Sequence, residues 1–536
     1  MNIRSILTLS LIGLGASGAL AQSAVDAYNI TPTQLRGTAR FVAMGGAFTS
    51  LGSDISCMTQ NPAGLGLYRK SDLGLTFDIS MRNYGSETSS GKYSDNETRA
   101  KFDNIGYVGV INLNGALSAI QWGVGYNRLA VTDRLVNGYN YPTSGSLTNY
   151  IAGYTNGTNA ADILDEQGYD PFFSSNNDWL SILAYNSYMI NTNGDEQTYS
   201  GLYGNGTVGD ALYNIRERGY TDEYDINIAG NVKDIVYWGF GIGIMDVNYT
   251  REAYYSESME KALVYDTRYD MLTSGNAGFD LNNVSTINGT GANLKFGLII
   301  RPVDDFRVGF AIHTPTWLHL SHSGAATVDY NYTPDGVSGS RPLNSGSFSS
   351  PVYDYTSRLN TPWRFMVGAS YTIGGRAIIS ADYERVAYAD MKMKKENDSW
   401  GRGYVENTYA NEDIKNYYKA ANIFRIGAEV RLSNNFSARA GYNRQGSNVT
   451  SQAYNNKTEI FTSGMDPSYS FDNTTQNICL GLGFHVSGWY LDLTYQHTRR
   501  TGTFSAYTPS AANSYAPTAS LTDKYNNIVV TTGFRF

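Results

Sequence analysis

The chain has 536 residues, with 40 basic against 48 acidic side chains, a net charge of -8, 56 Gly, 43 Tyr and two Cys. That charge balance argues against a nucleic-acid partner, and two cysteines are too few for a disulfide scaffold. With a mean hydropathy of -0.34, and no apolar run after residue 21 long enough for a membrane helix, a helical membrane protein is excluded.

The first element is a targeting signal. A basic Arg4 precedes the mostly apolar run from Ile6 to Leu14, and Ala19-Leu20-Ala21 completes an A-x-A cleavage pattern. Residues 1–21 are expected to be a signal peptide cut between Ala21 and Gln22, so the mature protein is exported. Residues 22–71 show no clean alternation, are rich in small side chains, and carry Gly45-Gly46 and the turn signal Asn61-Pro62-Ala63-Gly64. Such a compact segment reads either as a periplasmic tail or as a plug folded into a barrel lumen, the plug being the more economical.

From residue 72 onward the pattern has period two. Runs of alternation bounded by turn residues fall near 72–84, 103–114, 118–130, 222–231, 235–248, 291–301 and 304–313. Seven more fall near 364–374, 376–386, 421–432, 435–444, 476–487, 488–498 and 526–536, which makes fourteen. In 421–432, Phe424, Ile426, Ala428 and Val430 alternate with Arg425, Gly427, Glu429 and Arg431, as a wall between lipid and a wet lumen requires. Short turns such as 112–115, 231–234 and 301–305 alternate with long polar segments near 131–221, 249–290, 314–363, 387–420, 445–475 and 499–525. That asymmetry distinguishes an outer-membrane barrel from a soluble sandwich. The expected fold is an all-β, transmembrane antiparallel β-barrel of fourteen strands over residues 72–536, with residues 22–71 as a hatch. The last strand, Asn526 to Phe536, is expected to close the cylinder, with Phe536 presented to the barrel assembly machinery.

The segment from Gly45-Gly46-Ala47-Phe48 through Asp54 to Asn61-Pro62-Ala63-Gly64-Leu65 resembles the N-terminal hatch of the FadL/TodX family of outer-membrane transporters for hydrophobic compounds. Three barrel segments are similar to patterns in that family: Arg307 to Thr316, Asn360-Thr361-Pro362-Trp363-Arg364 with Ala381-Asp382-Tyr383-Glu384, and Phe436 to Tyr442. The resemblance implies a fourteen-stranded barrel in the outer membrane of a Gram-negative cell. It also implies passive uptake of a hydrophobic small molecule, fatty-acid-like or aromatic, by an external site, a pocket above the hatch and lateral release into outer-membrane lipid. The long loops depart from the better-known members.

The external site would be built from the loops after the third and seventh strands, where Phe172, Phe173, Trp179, Leu180, Trp317 and Leu318 are the apolar candidates; equally, they pack a loop cap or an interfacial girdle. Glu384, Arg425, Glu429, Arg431 and Arg439 read as lumen charges holding the hatch. Five dispersed histidines and no selected Ser–His pair give no catalytic or metal site, and no cofactor is expected. Cys57 in the hatch and Cys479, read as lumen-facing, are placed to meet as a disulfide or to stay as separate buried thiols. The chain is expected to act as a monomeric transporter, the alternative being a non-transporting barrel that serves as a binding or secretion partner.

Overall fold

The computed structural model describes residues 23–337, 343–397, 403–509 and 515–536, so the signal segment, with Ala21 and Gln22, lies outside the described residues. Fourteen strands form one closed antiparallel ring. They are β1 (Asp72–Glu87), β2 (Lys92–Asn112), β3 (Leu117–Val131), β4 (Val208–Val232), β5 (Val236–Asp266), β6 (Met271–Val303) and β7 (Phe306–His313). The ring continues with β8 (Arg364–Ile373), β9 (Ala377–Val386), β10 (Ala421–Arg431), β11 (Phe436–Gln445), β12 (Tyr469–Val486), β13 (Trp489–Ser505) and β14 (Thr518–Arg535). Each pairs with its sequence neighbour, and β14 returns to β1 with Phe534 opposite Leu73 and Arg535 opposite Asp72. Beyond that pair Phe536 and Ser71 exchange two backbone hydrogen bonds of 3.0 and 3.1 Å.

The lipid face follows from the outward side chains. Leu73, Phe77, Ile79 and Met81 on β1, Phe424, Ile426 and Val430 on β10, and Ile478, Leu480 and Leu482 on β12 are all exposed. About nine residues of a tilted strand cross the hydrocarbon, which matches residues 73–81 of β1. Closure leaves no sheet edge at the seam and satisfies the backbone there without water.

Above this band the pattern inverts. On β5, Trp238, Ile242 and Ile244 face outward and are exposed, whereas beyond them Val247, Tyr249, Ala253, Tyr255 and Met259 are buried and Glu252, Ser258 and Glu260 are exposed. The segment near 249–290, expected as a loop, is therefore the distal half of a β5–β6 hairpin that rises past the membrane. Its outward residues are polar because they meet water, so the oil-facing signature ends while the strand does not. The distal strands pack around the helices Leu147–Thr155 and Trp179–Asn186 in one apolar cluster, an external cap with a core like that of a soluble protein.

Cys57 and Cys479 are free and buried within one apolar cluster shared by hatch and wall. The disulfide left open by the sequence is not formed; each thiol fills space in that packing.

Candidate functional site

The hatch fills the lumen below a chamber. Its short helices Ala39–Ala43 and Cys57–Gln60 and the 3-10 turn Pro62–Leu67 lie against inward-facing glycines of the wall, while the first helix, Ala24–Asn29, packs with Tyr418 and Ile414 in another apolar cluster. Gly45 and Gly46 have φ of 65° and 75°, a left-handed conformation that side-chain-bearing residues rarely adopt. A Cβ on Gly45 would meet the Tyr442 backbone of β11. Asn61 caps the 3-10 turn by accepting from Ala63 N–H (3.1 Å) and donates to the Thr49 carbonyl, while Pro62 supplies the first helical position. Ala63 is fully buried, and Gly239 on β5 lies beside the Pro62-Ala63 backbone with no room for a Cβ.

Neutral groups do much of the anchoring. Ala39 N–H donates to Thr531 Oγ1 (2.7 Å), and Thr494 Oγ1 donates to the Ala39 carbonyl (2.6 Å). Gln496 Nε2 reaches both the Leu35 carbonyl (3.3 Å) and Asn477 Oδ1 (2.9 Å). One charged tie joins hatch to wall at β10: Arg40 Nε lies 2.9 Å from Glu429, which also accepts from Arg439 (2.6 Å).

Above the hatch lies a cavity of about 230 Å³. The hatch contributes Ile30, Pro32, Leu35 and Phe41 to its lining, and the wall contributes Leu129, Val131, Met245, Val386 and Ile423 among many amides and hydroxyls. Seven basic side chains line it, and each is paired: Arg36 with Asp78 and Asp103, Arg82 with Asp133, Arg134 and Arg500 with Asp523, Lys295 with Asp225, and Arg364 and Arg425 with Glu384. No lining cation is left without a carboxylate partner to offer an incoming anion, so the chamber's chemistry favours a neutral guest with an apolar body.

The wall beside this chamber is incomplete. β2 and β3 pair only from Asn104 opposite Asn127 down to Asn112 opposite Ala119. Asp103 bulges out of the β1 register, and from Phe102 up to Lys92 β2 pairs with β1 alone. β3 stays with β4 but bulges at Leu129, and its continuation Arg134–Asn140 also follows β4. That continuation has turned inward, where Ser86 Oγ donates to the Asn137 carbonyl and Thr88 Oγ1 to the Tyr139 carbonyl (2.7 Å). Asp133 at the turn accepts from Lys101 (2.6 Å) and Arg82 (3.1 Å). In the β1–β2 register Phe102 lies opposite Phe77, Ala100 opposite Ile79 and Thr98 opposite Met81, so the break begins inside the apolar band. On its lipid side an aromatic row runs from Phe77 to Phe102 (5.4 Å), Tyr126 (5.7 Å) and Tyr224 (5.4 Å), marking the last level at which β2 and β3 are joined.

Two strap residues of the hatch touch the two lips of this break. The Gln34 side chain donates to the Val131 carbonyl (2.9 Å) and accepts from Val131 N–H (3.1 Å). Arg36 Nη2 donates to Asp78 of β1 (2.9 Å) and to Asp103 of β2. Neither residue carried a recognisable motif, and no spacing in the sequence singled them out.

The loop aromatics sit elsewhere. Phe172, Trp179 and Leu180 are buried in the external cap, with Phe172 and Trp179 in edge contact at 4.9 Å. Phe173 is 67% exposed on top of it, Trp317 is exposed, and Leu318 is buried in a neighbouring cluster with hatch residues Val25 and Ile30. None of the six lines the chamber. Among the charges, Glu384 joins Arg364 (2.6 Å) and Arg425 within the wall, Arg439 joins Glu429 and Asp492, and Arg431 is exposed at the short-turn end. Arg431 takes no part in the network among the described residues: parity turns it inward, but its position at the strand end puts it in water. His319 is exposed and His322 is buried against Ser357 Oγ (2.9 Å), so the two rings lie on opposite faces of their strand and cannot share an ion.

A barrel with a small-residue hatch, a chamber above it and a β2–β3 break can be compared with solved structures. The chain is similar to the toluene transporter TodX of Pseudomonas putida, at 12% identity over 94% of this chain and 99% of that one, with a TM-score of 0.50. It is similar to a Pseudomonas aeruginosa FadL homologue at 11% identity over 95% and 99%, again with a TM-score of 0.50. The chain has the fold of these barrels. No protein-family model and no curated protein matches the sequence.

Proposed function

We propose that the protein is a passive outer-membrane channel of a Gram-negative cell that takes up neutral hydrophobic small molecules and releases them sideways through the β2–β3 break. The observation that carries this reading is the loss of β2–β3 pairing inside the apolar band, next to a chamber in which every lining cation has a carboxylate partner. An apolar solute gains free energy on leaving water. A route from chamber to bilayer spares it a wet passage below the hatch. The toluene transported by the similar P. putida barrel is a guest of the right kind, and Leu129 and Val131, which line the chamber at the inward turn, supply apolar contact where it would leave.

A second reading, a non-transporting barrel that binds a ligand or a secretion partner, is favoured by one observation: Phe172, Trp179 and Leu180 are consumed by the cap core instead of forming an open apolar site. Uptake of labelled toluene and of a labelled fatty acid, compared in cells with and without the protein, separates the two. Faster uptake supports the channel, and equal uptake of both supports the partner role.

A further inference from the structure

The lips of the β2–β3 break are placed so that they should join. Continuing the observed register, in which Asn104 lies opposite Asn127, brings Ala100 opposite Val131. Val131 N–H and C=O are not spent on β4; both point to the side where β2 would lie, and both are taken by the Gln34 carboxamide. An unpaired backbone group in hydrocarbon is costly, so a strand edge left open at Ala100 and Phe102 favours zipping unless something competes. The competitor is the hatch. Gln34 imitates a strand at the β3 lip, and two residues along the chain Arg36 holds the β2 lip through Asp103 while holding β1 through Asp78. Arg128 bonded to Asp222 (2.9 Å) and Asp133 bonded to Arg82 and Lys101 keep the turned strand aimed inward.

We propose that Gln34 and Arg36 are positioning residues that prop the β2–β3 break open, so that withdrawing this strap lets β3 zip onto β2 and seals the wall. The strap is also part of the chamber lining, together with Ile30, Pro32 and Leu35.

The test is a disulfide between Ala100→Cys and Val131→Cys, driven by copper phenanthroline on the full-length protein in outer membranes. Cys57 and Cys479 are buried and do not compete. With the native strap the pair should stay unlinked. Gln34→Ala, which removes both bonds to Val131, should make the 100–131 link appear as a shifted band and as a linked peptide. Gln34→Glu, which keeps the acceptor and loses the donor, should give an intermediate yield. Heat-modifiable migration checks that each variant is folded. A link that forms with the native strap, or none in folded Gln34→Ala and Gln34→Glu, would overturn the proposal. The crosslink reads wall geometry alone, so it fails independently of any uptake measurement.

Discussion

Gln34 and Val131 exchange two hydrogen bonds, 2.9 and 3.1 Å, in which a side chain of the hatch takes the place of a missing strand of the wall. Plug and barrel are therefore one mechanical unit at the β2–β3 break, and the stability of that contact depends on its ionic neighbour. Arg36 is buried with Asp78 and Asp103. Removing a buried cation leaves carboxylates uncompensated, at a cost of about 3–5 kcal/mol. Arg36→Ala is expected to lower the temperature at which the folded band is lost on gels, and Arg36→Lys to recover part of the loss. Unchanged melting of Arg36→Ala would show that this cluster does not stabilise the fold.

The Asn61 turn should behave as a local fastening. Asn61→Ala loses the cap on Ala63 and leaves the Thr49 carbonyl without its donor. The expected cost is about 1–2 kcal/mol, confined to the hatch. Limited proteolysis should cut residues 45–65 faster in the variant while the barrel band persists. Equal cleavage rates would contradict the role.

The thiols give a sharp count. Cys57 and Cys479 are both buried and free. Alkylation of the folded, non-reduced protein should label neither, and alkylation after denaturation without reductant should label two. Zero labels in the denatured sample would mean that a bridge exists.

Asp178 lies outside the membrane, at the start of the cap helix Trp179–Asn186, where it accepts from the N–H groups of Leu180 (2.9 Å) and Ser181 (3.2 Å). Burial pushes its carboxyl up from the ordinary 3.8 to about 6, against the pull of those two N–H donors. Between these values the folded cap holds a proton that the unfolded segment does not, so the helix loses stability as pH rises through the window and levels off above it. Amide protection factors in residues 179–186 should fall from pH 4 to 6.5, and Asp178→Asn should flatten the profile. Protection that rises with pH would contradict the assignment.

Much of this architecture is legible in the sequence because the lipid imposes a strict alphabet. Phe424, Ile426 and Val430 against Arg425 and Glu429 reveal a wall strand, and Asn61-Pro62 marks the hatch turn. The distal parts of β5 and β6 were hidden because beyond Ile244 the apolar side chains switch from the outer to the inner face, which removes the oil-facing signature while pairing continues. The break was hidden for another reason. Arg128 to Arg134 looks like an ordinary strand end, and only the partners of Val131 and Asp133 show that the chain has turned into the lumen. Long-range partners such as Gln34 leave no periodic trace.

Lateral passage is tested most directly where Leu129, at the bulge of β3, lines the chamber beside the break. Uptake of labelled toluene should be compared in cells that lack the protein, carry it, or carry Leu129→Trp at equal surface abundance. Uptake should stand above background with the native chain and fall to background when the indole fills the exit, as lateral passage requires. Full uptake by folded Leu129→Trp, or no uptake above background by the native chain, would contradict it.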